Sequence, residues 1–165
     1  MITISEAIIS DIKIIQDITY KTWPVTYGEI LSEEQLKFML DLFYSDEALT
    51  AQFQKKDQLF YLISEHEFVL GFIGIEHYYK KEAITKIHKI YLLPETQGKG
   101  IGKMVVENIG KLALENNSTS LLLNVNRFNK ALSFYEKIGF KVIEEVNIEI
   151  GNGYLMEDYV MQKQL

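Results

Sequence analysis

Ile2 and Ile4 flank a polar residue at the start of the chain, an alternation that predicts a short strand over 2–4. The period then changes. Ile8, Ile12, Ile15 and Ile18 recur three or four residues apart, the spacing of one helical face, with Asp11 and Asp17 on the polar side. Trp23-Pro24 is expected to break that helix, because proline has no N–H and its ring crowds the preceding turn. Ser32-Glu33-Glu34-Gln35 matches a capping box and starts a second helix, carrying Leu36, Met39 and Leu40 on one face. A third helix runs from Ser45 or Asp46 to Lys55. Three β-rich runs follow, over 59–64, 68–78 and 83–93, and Glu65-His66-Glu67 is short enough to join the first two as a hairpin.

A glycine-rich turn separates these strands from the most periodic helix of the chain, in which Ile101, Met104, Val105, Ile109, Leu112 and Ala113 share a face until Asn116-Asn117. Then come a buried-looking strand over 121–125, a helix over 128–137, and Gly139, which suits a left-handed helix terminator. Strands over 140–150 and 154–162 surround a Gly151-Asn152-Gly153 turn, and their apolar run through Val160 and Met161 offers an edge for a homodimer. The element order reads as α+β with a mixed sheet, in one domain spanning 1–165.

Composition narrows the function. The chain has 165 residues, of which 47% are hydrophobic and 12% aromatic, enough for one globular core. It has no cysteine, which removes disulfides, thiolate-bound zinc and a cysteine nucleophile. The first ten residues lack the basic start and long apolar run of a signal peptide, and no stretch is long enough to span a membrane, so the expected location is cytoplasmic. The net charge of −6 argues against nucleic acid as a partner. Its distribution is uneven. Between Lys80 and Lys103, lysines 80, 81, 86, 89, 99 and 103 face only Glu82 and Glu95, so this basic segment brackets the glycine turn and points to a phosphorylated ligand.

That turn, Gln97-Gly98-Lys99-Gly100-Ile101-Gly102-Lys103, follows a strand and opens a helix. Alternate glycines let backbone N–H groups converge on phosphate oxygens at the positive end of the helix, and so suggest a pyrophosphate-containing cofactor. A dinucleotide fingerprint does not fit, because its third glycine would stand at Lys103. A nucleoside-triphosphate loop fails too, needing glycine at Gln97 and a hydroxyl at Met104. The turn does fit the pattern Gln/Arg-x-x-Gly-x-Gly/Ala. With Asn129-Lys130-Ala131 and Phe134-Tyr135-Glu136-Lys137-Ile138-Gly139-Phe140, it resembles the two signatures of the GNAT superfamily of acetyl-coenzyme A-dependent N-acyltransferases.

The resemblance implies a mixed, mostly antiparallel sheet flanked by helices and splayed at the cofactor-binding strand. It also implies that Gln97, Gly98, Lys99, Gly100, Ile101, Gly102 and Lys103 hold the pyrophosphate of acetyl-CoA, that the Leu92 N–H meets the thioester oxygen, and that Asn129 bonds the cofactor arm. Plain strand packing for Leu92 and helix capping for Asn129 are the alternatives. Tyr135 is the candidate general acid, because an ordinary phenol near pKa 10 lies about one to two units above a thiol near 8.5. Packing of the helix by Phe134 and Tyr135 is the alternative.

An alkylammonium near pKa 10.4 must lose a proton before it can attack, and His88 stands where many relatives place a glutamate, making it the candidate base; Glu76 and bulk water are the alternatives. Trp23 and Tyr27, with Tyr20, fall in the region that lines the acceptor pocket in this superfamily and suit a cation, although core packing explains them equally. His66, His77 and His88 are too scattered to form a metal site. The expected activity is acetyl transfer from acetyl-CoA to a primary amine of a small molecule such as a polyamine, amino acid or antibiotic. The alternatives are a protein amino group as acceptor and a non-catalytic CoA-binding module.

Overall fold

The computed structural model describes residues 1–165. Strand β1 (Ile2–Glu6) leads into α1 (Ile12–Tyr27), α2 (Glu33–Tyr44) and α3 (Asp46–Lys55), then β2 (Leu59–Glu65), β3 (Phe68–Glu76) and β4 (Ile84–Leu92). Helix α4 (Ile101–Glu115), β5 (Ser120–Asn126), α5 (Ala131–Lys137), β6 (Lys141–Gly151) and β7 (Tyr154–Gln164) complete the chain. The seven strands form one mixed sheet in the order β1-β2-β3-β4-β5-β7-β6. Strands β4 and β5 are parallel, whereas β1 with β2, β2 with β3, β5 with β7 and β6 with β7 are antiparallel. The mixed, mostly antiparallel sheet expected from the family resemblance is therefore present.

Residues group into two compact units, one made of Met1–Glu76 with His88–Val106, the other of His77–Ile87 with Glu107–Leu165. In the first, α1 buries Ile15, Ile18, Thr19, Thr22 and Trp23, a stripe repeating at three and four residues. The Gln16 amide donates to the Tyr44 carbonyl (3.0 Å) and the Asp46 carboxylate (2.8 Å), tying α1 to the start of α3. Ser32 Oγ accepts the Gln35 N–H and Ser45 Oγ accepts the Ala48 N–H, both at 3.1 Å, so each serine satisfies a backbone donor that its helix start would otherwise leave unmet.

Three expectations need correction. Helix α1 continues through Pro24 to Tyr27 instead of breaking there. The missing proline N–H costs one bond to the Tyr20 carbonyl, and both residues lie on the exposed side, where water can replace it. Ile8 stands outside the helix and is exposed; its N–H donates to the Asp11 carboxylate at 2.9 Å in a short 3-10 turn. Finally, Val160 and Met161 offer no sheet edge, because β7 lies between β5 and β6 and both side chains are buried. The edge strand at this end of the sheet is β6, and β1 is the other edge.

Candidate functional site

In the first unit, β4 ends at Leu92 and a 3-10 turn, Pro94–Thr96, feeds the glycine segment. The Leu93 N–H donates to the Leu70 carbonyl at 2.8 Å, fixing the end of β4 against β3. Gly71 makes that approach possible. A Cβ there would lie 2.3 Å from the Tyr91 carbonyl oxygen, closer than side chains come to backbone, and a tight 3.0 Å from Leu92 Cα. Position 71 thus determines where the Leu92 backbone stands.

Gly98 (φ 78°) and Gly100 (φ 73°) both occupy the left-handed region, and an added Cβ at either would meet nothing within 4 Å. The backbone therefore requires glycine while the space around it stays open. The Met104 N–H to Gly100 carbonyl bond (3.2 Å) is at the head of α4, so the amides of Ile101 and Gly102 precede the helix's own bonding ladder. Together these features leave an open helix start, the kind of end at which backbone N–H groups attract an anion such as a diphosphate. Lys99 and Lys103 are exposed beside it.

Lys89 and Lys86 have partners of their own. In the first unit Lys89 turns inward, donating to Gln52 Oε1 (2.7 Å) and Gln58 Oε1 (2.8 Å) and lying over the rings of Phe60 (5.3 Å) and Tyr44 (6.0 Å). Burial lowers its pKa to about 8. Lys86, in the second unit, donates to the Tyr79 hydroxyl at 3.2 Å and lies 4.6 Å from that ring's centre.

His88 and Glu76 meet in the first unit, with Nε2 and Oε1 3.2 Å apart and side chains 21% and 26% exposed. Both candidate bases are therefore partly wet and in contact. Trp23 is only 4% exposed and belongs to the core. Its ring packs edge-on against Tyr27 (4.8 Å) and Tyr44 (5.4 Å) and tilts over Tyr91 (5.8 Å). The half-buried Tyr27 and Tyr91 hydroxyls are hydrogen-bonded to each other at 3.1 Å. The Tyr44 hydroxyl stays neutral, its pKa pushed up by burial and by Tyr27. Tyr20 lies apart from this cluster's buried face, 48% exposed. The contacts of Tyr91 and Tyr44 with Trp23, and the contact of Glu76 with His88, were not foreseen. A glycine inside a strand pattern marks a close backbone approach, and Gly71 is one of two such glycines in this strand, with Gly74.

In the second unit Tyr135 is 8% exposed, its ring set edge-on between Phe134 (5.3 Å) and Phe140 (5.6 Å). Asn129 Oδ1 accepts the Ala131 N–H at 2.9 Å in a local turn, and α5 starts at Ala131 instead of 128, with Lys130 at its start making no side-chain cap bond. His77 Nδ1 meets Thr85 Oγ1 at 2.7 Å, and burial lowers its pKa. A separate cavity of about 490 Å³ is lined by Tyr79, Lys86, Leu122, Asn124, Val146 and Val160 among others, and holds none of the predicted site residues. No helix is long and apolar enough to cross a membrane.

Comparison with known proteins places these features in context. The sequence model of the family described as an acetyltransferase (GNAT) domain matches residues 29–162. A spermidine N(1)-acetyltransferase of Thermoplasma acidophilum is 29% identical over 161 residues, covering 94% of this chain and 96% of the relative. A peptidyl-lysine N-acetyltransferase of Salmonella typhimurium is 30% identical over 112 residues, 66% of this chain and 68% of the relative. Among solved structures, the PaiA N-acetyltransferase of Thermoplasma acidophilum in complex with coenzyme A superposes with a TM-score of 0.81 at 28% identity, covering 100% of this chain and 99% of that one.

Proposed function

This chain belongs to the GNAT acetyltransferase family and is an acetyl-CoA-dependent N-acetyltransferase, and from that premise we propose that it acetylates a primary amine of a small cationic molecule, with polyamines the first class to test. The observation that carries this reading is the half-buried Tyr27–Tyr91 hydroxyl pair backed by Trp23; the same unit also holds the partly exposed Glu76 carboxylate, in its own contact with His88. Aromatic faces and a carboxylate are what an alkylammonium needs once it leaves water. The near full-length relative that acts on spermidine supports the same class. The shorter peptidyl-lysine relative favours a protein amino group as the second reading.

Acetyl-CoA supplies an activated carbonyl on a thiolate leaving group. In this proposal the amides and side chains of Gln97, Gly98, Lys99, Gly100, Ile101, Gly102 and Lys103 bind its diphosphate, and Asn129 bonds its arm. The Leu92 N–H stabilises negative charge on the carbonyl oxygen as the amine attacks directly in a ternary complex. His88 takes the ammonium proton before or during attack. The C–N bond forms as the C–S bond breaks, Tyr135 gives its proton to the departing sulfur, and the second proton lost by the nitrogen restores the phenol. With no cysteine in the chain, a cysteine acyl carrier is excluded. The same absence of cysteine suits a reducing, cytoplasmic location. Self-association is assigned to the β6 edge, where Val142 and Ile143 are exposed.

Thiol release measured with polyamines, free amino acids, an aminoglycoside and a lysine-containing peptide tests the reading. Turnover concentrated in the polyamines supports it. Turnover with the peptide alone moves the assignment to proteins, and no turnover with any cationic small amine overturns it.

A further inference from the structure

We propose that Glu76 is a positioning residue for His88, holding the Nε2–H so that Nδ1 carries the lone pair that receives the amine proton. This rests on the reading of His88 as the base. A neutral imidazole has one N–H and one lone pair, and the nitrogen that meets a carboxylate must be the N–H, because two acceptors in contact repel. In this chain the nitrogen that meets Glu76 is Nε2, at 3.2 Å. The tautomer follows from that contact.

The pairing also divides the chemistry sensibly. A carboxylate alone, ordinarily near pKa 4.3, is about six units below an alkylammonium near 10.4, whereas an imidazole near 6.5 is about four below. Glu76 by itself would be the poorer base. Beside His88 it does something else: its negative charge favours the imidazolium that forms when the proton arrives. The proton passes from the ammonium nitrogen to Nδ1, the nitrogen's freed electron pair goes into the new C–N bond, and Glu76 remains ionised throughout. Both side chains are about a quarter exposed, so the attraction is partly screened yet stronger than in bulk water. His77 provides the internal contrast: its Nδ1 faces a hydroxyl, and burial lowers its pKa.

Two kinds of measurement test the pair. Nitrogen-15 NMR of the wild-type imidazoles reads the tautomer directly. His88 is expected to be the Nε2–H form, and an Nδ1–H form would overturn the proposal whatever the variants do. The second is kcat/KM against pH for Glu76→Gln, alone and in a His88→Ala background. Loss of the charge should move the acid limb to lower pH by roughly half a unit to one unit. It should lower kcat about tenfold, with KM for acetyl-CoA unchanged and no further loss once His88 is gone. An unmoved acid limb, or the same loss in both backgrounds, means a merely structural contact and overturns the proposal. If His88→Ala itself leaves turnover intact, the base reading fails, while the NMR result still decides whether Glu76 sets the tautomer.

Discussion

In the proposed reading, two parts of the first unit recognise their ligands by different means. The glycine turn from 97 to 103 acts through the backbone: left-handed Gly98 and Gly100 and the unladdered amides at the start of α4 come from one continuous stretch. The amine-facing part acts through side chains gathered from α1, β3 and β4, with Tyr27 bonded to Tyr91 and Glu76 to His88. Backbone recognition tolerates side-chain change as long as the dihedral angles survive. Side-chain recognition is undone one atom at a time, and this contrast yields predictions for each part.

The largest expected effect falls on the amine side. His88→Ala should lower kcat by about 10²- to 10⁴-fold with acetyl-CoA affinity unchanged, as steady-state kinetics and calorimetry together would show; a loss of affinity instead would merge the two parts. Tyr135→Phe, which keeps the ring packed between Phe134 and Phe140, should cost roughly tenfold to a hundredfold in kcat, and equal turnover would remove it as the acid.

Gly71→Val attacks the support behind the backbone side. With its Cβ forced toward the Tyr91 carbonyl and Leu92, thermal unfolding should shift down by several degrees, corresponding to about 1–3 kcal/mol. Tyr27→Phe removes one hydroxyl contact and should raise the amine KM a few-fold while leaving the acetyl-CoA KM alone.

Lys89 gives a test that leaves both parts untouched. Its folded pKa of about 8 lies below the ordinary 10.5, so the unfolded chain binds more protons between those values and stability should rise with pH across that window, by up to about 3 kcal/mol. Lys89→Met should flatten that rise in denaturant titrations.

The same contrast governs what could be read in advance. Glycines at alternate positions before a helix are a local signal, and the serine caps at Ser32 and Ser45 are equally local, so the turn and the starts of α2 and α3 were legible. Glu76 and His88 are twelve positions apart on two strands, and only the packing of β3 beside β4 brings them together. The inward turn of Lys89 is likewise a matter of which strand face it occupies, which a count of charges along the chain does not register. Helix α5 starts late because Asn126 and Asn129 side chains take the Phe128 and Ala131 N–H groups, offering the backbone a turn where periodicity alone suggested a helix. Helix α1 outlasted its proline because the lost bond faces water.

The most direct test of the backbone cradle compares binding of coenzyme A with that of pantetheine, which lacks the diphosphate, by calorimetry on the wild-type protein and on Gly100→Leu. The account predicts a preference of at least about a hundredfold for coenzyme A in the wild type, and its collapse in the variant with pantetheine affinity nearly unchanged. A preference that survives Gly100→Leu intact would contradict it.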